Sequence, residues 1–481
     1  MSETFFWHDY ETFGVSPRSD RPAQFAGLRT DADFEPVEEP VSFYCRPPAD
    51  YVPRPEAMLI TGITPDDAER EGAREAEFAA RVFEELARPG TCGVGYNSLR
   101  FDDEVSRFLF WRNFFPPYER EYANGNSRWD LIDVARLCYA VRPDGVEWPL
   151  HDSGKPSFRL EDLAGANGIA HGRAHEALSD VEATLGLARR LRTAQPRLID
   201  YCLGLRDRRN AERLLNPISR QPCVHVSSRF GADRGCLAVV LPLAQHPRIQ
   251  KQIIVFDLAA DPLPLLESDP ELLRDLVFTP TADLPEGFER VPLKTVATNK
   301  CPVVAPLSVL RDADHDRIAL DLERCLANAR TLAADPTLAQ RVQAVFDAPF
   351  DGGEPPAEED LYGGFASRED GYRLADVRAT PPHELGTRDF GLSDHRLRAM
   401  LPRYQARNYP DTLDSEATDR WFLHCRESWR QIDEDSGLPA GQDALARVGA
   451  LRDGADGQQL ALLDRYEAWV RERASDLAIS L

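Results

Sequence analysis

Lysine is almost missing from this chain. It occurs only at positions 155, 251, 294 and 300; arginine supplies the rest of the 57 basic residues, which face 80 acids for a net charge of −23. That balance excludes a globally cationic surface, so a polyanionic partner would have to be met by a local arginine-lined track. No apolar run approaches the roughly 20 residues that a bilayer span needs. The N-terminus shows no basic region followed by an apolar core, so no secretory signal is read and a cytoplasmic location without membrane contact is expected. The nine cysteines include no C-x-x-C pair and are scattered from 45 to 425, which argues against a disulfide framework or a thiolate zinc site and fits reduced thiols. Internal repeats and long low-complexity tracts are also lacking.

What is present is a chain of 481 residues, long enough for two to four domains of about 150 residues each. Up to about residue 190, strand-like and helix-like segments alternate. Strands are expected at the N-terminus, at 23–30, at 41–45 and at 92–96, with an amphipathic helix over 75–86; together these predict an α/β or α+β sheet domain. A helical stretch over 196–215 leads into short β-rich runs at 223–226, 237–241, 252–256 and 302–304, which suggest a small barrel or sandwich. Helical periodicity returns over 320–346. The Gly/Pro-rich stretch 349–356 reads as a linker, and helical segments around 391–405, 415–433 and 440–479 give an all-α C-terminal region.

The chain is organised around Phe5-Phe6-Trp7-His8-Asp9-Tyr10-Glu11-Thr12-Phe13-Gly14. In a strand, alternation places Asp9 and Glu11 on one side, roughly 7 Å apart. Two carboxylates on one rigid face suit a hard cation such as Mg²⁺ or Mn²⁺, although a D-x-E triplet alone is a weak signal in an acidic chain. Asp102 follows the predicted strand 92–96 and opens a helix, where an acid can face a metal or merely complement the helix dipole. Asp180 lies on a third helix, off its buried stripe of Leu178, Val181, Leu185 and Ala188. His175, five residues before Asp180, would be about 140° away on one ideal helix, so it must sit on the preceding loop or first turn to reach the same cavity.

Asp9, Glu11, Asp102, His175 and Asp180 in this order, with N-x-x-x-F before Asp102 and H-x₄-D followed by V-x-A-T, resemble the DEDDh class of 3′→5′ exonucleases. HDYETFG (8–14), RPAQF (21–25), LITGITP (59–65), GYNSLRFDDE (95–104), NSRWDLID (126–133), PSFRLEDLAGANGI (156–169) and RYQARNYPDTL (403–413) are similar to the bacterial exodeoxyribonuclease I family. The resemblance spans essentially the whole chain and is densest in the first 190 residues.

The resemblance implies a multidomain α/β (α+β) protein: a ribonuclease H-like exonuclease domain over 1–190, an SH3-like β-barrel domain with flanking helices over 196–348, and a helical domain over 355–481. It implies two Mg²⁺ ions, replaceable by Mn²⁺, bridged by Asp9 and held further by Glu11, Asp102 and Asp180. A histidine at 175 could then take the proton from the attacking water, since an imidazole titrates near neutral pH. The nine aromatics between 101 and 129, with arginines at 107, 112, 120, 128, 136 and 142, form the kind of apparatus that binds single strands; about half of the aromatics, including Phe101, Phe108 and Trp129, are expected in the core. By resemblance, Arg107, Tyr118, Tyr122, Arg136, Arg142 and Arg159 would contact the strand, and Glu11 would lie against the terminal nucleotide. The expected activity is 3′→5′ degradation of single-stranded DNA to 5′-mononucleotides in repair and recombination, by a monomer whose later domains close a channel over the strand. A docking site for single-stranded DNA-binding protein is implied by the family alone. An exoribonuclease of the same class is disfavoured by about 290 residues beyond the exonuclease segment, and a non-catalytic nucleic-acid-binding scaffold by the retention of all five class residues.

Overall fold

The computed structural model describes residues 3–172, 175–347 and 353–481. The first 194 residues run β1 (Thr4–Thr12), β2 (Pro22–Thr30), β3 (Val41–Tyr44), α1 (Pro55–Thr61), α2 (Pro65–Glu71), α3 (Glu75–Leu86), β4 (Thr91–Gly95), α4 (Asp102–Arg112), β5 (Ser127–Asp130), α5 (Leu131–Val141), α6 (Leu160–Ala166) and α7 (Ala177–Ala194). Helix α3 has the predicted bounds, and β1 to β4 fall where the apolar runs placed them. Of the linker expected at 349–356, residues 349–352 lie outside the described residues.

Packing divides the chain into two compact units, neither of them continuous in sequence: 1–127 with 171–182 and 353–481, and 128–170 with 183–352. In the first unit β1 is the central strand. It pairs antiparallel with β2, opposing Asp9 to Ala26 and Glu11 to Gln24, and parallel with β4, where the register ends at Trp7 opposite Val94; β3 continues the sheet beside β2. One face of β1 sends Phe6 and Tyr10 into a core with Phe25, Phe43, Phe78 and Val82. On the other face Phe5 and Trp7 meet the ring of Phe34 edge-on, at 5.3 and 5.1 Å between centroids. Asp9 and Glu11 continue that second face past the point where β4 stops.

The helical C-terminal segment is part of this unit because it shares its cores. Phe108 and Trp111 of α4 and Phe114 just beyond it are buried with Leu361, Leu374, Leu397, Met400 and Tyr404, and Met58 of α1 with Trp429, Tyr466 and Val470. A buried ion network fastens the same segment: Arg407 pairs with Asp50 at 2.5 Å and with Glu358 at 2.8 Å, and Arg21 reaches Glu358 at 3.1 Å. The segment predicted as one helix over 440–479 is two, Ala440–Arg452 and Gly457–Asp476, because Asp456 caps the second through Gln458 and Gln459.

The second unit holds β6 (Cys223–Val226), β7 (Leu237–Gln245), β8 (Gln252–Asp257), β9 (Leu293–Ala297) and β10 (Val304–Pro306), in the spatial order β10-β6-β7-β8-β9. The expected barrel is therefore corrected: among the described residues the strands form an open five-stranded sheet with β9 and β10 at its edges. Strand β9 was not anticipated, because Lys294 and Thr295 interrupt the apolar run by which a buried strand is recognised. No described helix is long and apolar enough to cross a membrane.

Candidate active site

The site begins at the free end of β1. Gly95 closes β4 so tightly that a Cβ there would lie 2.6 Å from the Ser98 Cβ and 3.1 Å from the His8 carbonyl oxygen. This close approach turns the chain back across β1 and into α4, whose first residue is Asp102. The backbone N–H of Tyr10 donates to Asp102 Oδ1 at 3.1 Å, and the Tyr10 hydroxyl lies 3.0 Å from Ser106 Oγ one turn later. Asp102 is thus pinned to the strand between Asp9 and Glu11. Beside it, Asp103 is tied to Arg120 by a buried 2.5 Å ion pair, which anchors the start of the helix.

Helix α7 approaches from the other side. Gln24, directly opposite Glu11 on β2, accepts the backbone N–H of Ala177 at 3.3 Å, so the first turn of α7 is set against Glu11. The helix starts at Ala177, and His175 precedes it with φ of +62°, in the left-handed region. Geometry thus resolves the 140° conflict read from the sequence: the histidine is on the loop, not on the helix. Ligand atoms of Glu11, His175 and Asp180 all lie within 4.8 Å of one another. Asp9 is close enough to Asp102, Glu11 and Asp180 for each of them to disfavour its ionisation.

The electrostatics fit a cation. Burial first, then the charges of Asp102, Glu11 and Asp180, push Asp9 well above the carboxylate range. Burial, then Asp180, Asp102 and Glu176, raise Glu11 to about 8. Asp180 is also raised by burial, although His171 and His175 oppose the shift. A cluster in which neighbouring carboxylates hinder the ionisation of Asp9 and Glu11 is a site whose charge a divalent ion would relieve. His8, adjacent to Asp9 in sequence, is no rival base: it lies among the rings of Phe6 and Phe25, and burial together with Arg120 holds it at about 3.

The residues expected to bind the strand are placed less uniformly. Tyr122 is 68 % exposed, and Tyr118 is half-buried beside Phe365, 5.9 Å away edge to face. Phe108, Phe110, Trp111, Phe114, Phe115 and Trp129 are all buried, so the core takes more of the nine aromatics than the expected half. Arg107 is buried as well, donating to Glu121 at 2.7 and 2.9 Å and to Glu104 at 2.7 Å. Arg112 and Arg120 are enclosed with Glu75 and Asp103. In the second unit Arg136 pairs with Asp133 at 2.6 Å and lies over the Phe158 ring, Arg142 meets Asp312 at 3.2 Å, and the exposed Arg159 pairs with Glu161.

Two features escaped the sequence reading. Tyr362 and Phe365, 57 % and 89 % exposed, are carried from the C-terminal segment to Tyr118 and to the Arg107–Glu104 pair, where the Tyr362 hydroxyl donates to Glu104. His171 Nε2 lies 2.5 Å from Asp180 Oδ1. Neither carries a local signal: both depend on contacts made after folding.

Comparison with known proteins agrees with this geometry. An exonuclease family model matches residues 6–188, an exonuclease I SH3-like domain 206–348, and an exonuclease I C-terminal domain 356–473. The exodeoxyribonuclease I of Escherichia coli strain K12 is 46 % identical over 429 residues, 89 % of this chain and 90 % of that protein. The crystal structure of Escherichia coli exonuclease I in complex with a dA16 oligonucleotide superposes with a TM-score of 0.94 at 42 % identity, covering 98 % of this chain and 100 % of that one. A zinc-bound form of the same enzyme with single-stranded DNA matches at a TM-score of 0.92 and 42 % identity, over 98 % and 100 % of the two chains. Identity at this level over nearly the whole length, with the exonuclease model and the two exonuclease I domain models matched in order along it, makes this chain a member of the exodeoxyribonuclease I family.

Proposed function

We propose that this chain hydrolyses single-stranded DNA stepwise from the 3′ end and releases 5′-mononucleotides, in DNA repair and recombination. The observation that carries the reading is the convergence of Asp9 and Glu11 from β1, Asp102 from α4 and Asp180 from α7 around the loop that holds His175. Asp9, Glu11, Asp102 and Asp180 would hold two divalent ions, Mg²⁺ with Mn²⁺ as a substitute. Such a pair supplies an activated water and a clamp on the attacking and leaving oxygens of an in-line displacement.

The protein's own groups do the rest. His175 takes the proton of the attacking water, a role worth about 10²–10⁴-fold. Glu11, less than a tenth exposed and central in the cluster, lies against the terminal nucleotide. Tyr118 and Tyr122, joined by the exposed Phe365 and Tyr362, offer ring faces on which bases stack, at about 1–3 kcal/mol per base. Arg107 is enclosed by its glutamates, so its contribution is to hold Tyr118, whose ring it overlies at 5.5 Å, in place for the strand. Arg136, Arg142 and Arg159 would contact phosphates after exchanging their carboxylate partners for the backbone. Single-stranded DNA-binding protein is a proposed partner, and the enzyme is proposed to act as a cytoplasmic monomer.

The test is digestion of 5′-labelled single-stranded DNA, matched RNA and duplex DNA with Mg²⁺, alongside Asp180→Ala. A descending ladder on single-stranded DNA, lost with EDTA and in the variant, is the expected result. Equal or faster degradation of RNA would overturn the substrate assignment, and binding without degradation would overturn the activity.

A further inference from the structure

The grip on Asp180 involves a group that the chemistry above does not use. His171 and Asp180 are largely buried, their side chains 10 % and 16 % exposed, and His171 Nε2 lies at hydrogen-bonding distance from Asp180 Oδ1, 2.5 Å. The backbone of His175 makes a second hydrogen bond to the same carboxylate. Asp180 is therefore held from two points of one loop, while Glu11 and Asp9 repel it from β1. A carboxylate on the first turn of a helix has rotamers that would carry it away from like charges, and something must oppose that movement. His171 occupies the position to do so. Its Nε2 is engaged with the carboxylate, so that nitrogen is not available to accept a proton from water, whereas His175 belongs to the convergent group with Glu11 and Asp180.

We propose that His171 is a positioning residue: it locks the Asp180 carboxylate in the orientation that completes the cation cluster with Glu11, and thereby sets the affinity of that cluster for a divalent ion. The proposal rests on the metal-dependent reading given above. Hydrogen-bond partners of metal-binding side chains characteristically change metal affinity by about 10–100-fold when removed.

The experiment is a Mn²⁺ titration of the full chain without DNA, followed by electron paramagnetic resonance, on the wild type and on His171→Ala, His171→Gln and Asp180→Ala. His171→Ala is expected to weaken Mn²⁺ binding about 10–100-fold. His171→Gln, whose amide N–H can still donate to the carboxylate, should recover most of that loss, which a merely structural defect would not allow. At saturating Mn²⁺ the acid limb of the pH–rate profile should remain in His171→Ala, because His175 still accepts the proton. Unchanged Mn²⁺ affinity in His171→Ala would overturn the proposal, as would intact affinity with a vanished acid limb, which would make His171 the base. If Asp180→Ala also binds Mn²⁺ like the wild type, the metal reading itself falls, and this proposal with it.

Discussion

The mutual repulsion of the carboxylates makes a prediction that can be worked through in numbers. Glu11 is raised from 4.5 to about 8 by burial and then by Asp180, Asp102 and Glu176. A group raised on folding is protonated in the native state and ionised in the unfolded state between those values, so its environment costs stability in that window, and the cost grows as pH rises from 4.5 towards 8. At pH 7, about 1.4 kcal/mol for each pH unit above 4.5 amounts to about 3–4 kcal/mol. Glu11→Gln keeps the shape and removes the ionisation. In EDTA at pH 7 it should therefore melt above the wild type, by about 7 °C at roughly 2 °C per kcal/mol for a unit of this size. The advantage should shrink towards zero at pH 4.5, where the unfolded glutamate is itself half protonated. Added Mg²⁺ or Mn²⁺ should reverse the order, because the wild type gains more from the ion than a variant lacking one ligand. Differential scanning fluorimetry across pH and metal concentration reads all three effects. A Glu11→Gln protein that melts lower in EDTA at pH 7, or whose advantage is the same at pH 4.5, would refute the picture of an electrostatically frustrated site.

Three further outcomes are expected. His175→Ala should lose about 10²–10⁴-fold in turnover while retaining Mn²⁺ binding; a parallel loss of metal affinity would make His175 a ligand instead of a base. Phe365→Ala should raise KM for single-stranded DNA by about 5- to 150-fold, the equivalent of one stacked base, with folding intact because the ring is 89 % exposed; unchanged KM on long and short strands would remove it from the binding track. Arg407→Ala leaves Asp50 and Glu358 buried without their shared cation, and should cost about 3–5 kcal/mol in a thermal melt. Burial opposes ionisation of Glu358, but Arg407 and Arg21 hold it at about 2, so its contribution is complete above its unfolded value of 4.5 and lost as pH falls towards 2. A wild-type melt that is flat from pH 5 to pH 2.5 would contradict this.

How much was legible in the sequence follows the range of the forces involved. Strand alternation is local, and it put Asp9 and Glu11 on one face before any fold was known. Helical geometry is local too, and it required His175 to leave the helix that carries Asp180, which the left-handed backbone at 175 accomplishes. The apolar runs of β1 to β4 and the amphipathic stripe of α3 marked their own elements for the same reason. The destinations of the long charged and aromatic side chains could not be read this way. Arg107, Arg112 and Arg120 look in sequence like free cations between aromatics, but each found a buried acid 3 to 37 positions away. In a chain with so many carboxylates, an arginine left inside is stable only when paired. The same holds for the rings: whether an aromatic near Tyr118 faces solvent or core depends on helices some 250 residues later. The open β10-to-β9 sheet, the C-terminal helices that share cores with α1 and α4, and the hydrogen bond from His171 to Asp180 likewise come from contacts that only the folded chain can make. The sequence by itself determined which residues to expect together and which face of β1 presents Asp9 and Glu11; tertiary packing decided what surrounds, pairs and restrains them, because burial and charge pairing are properties of neighbours in space.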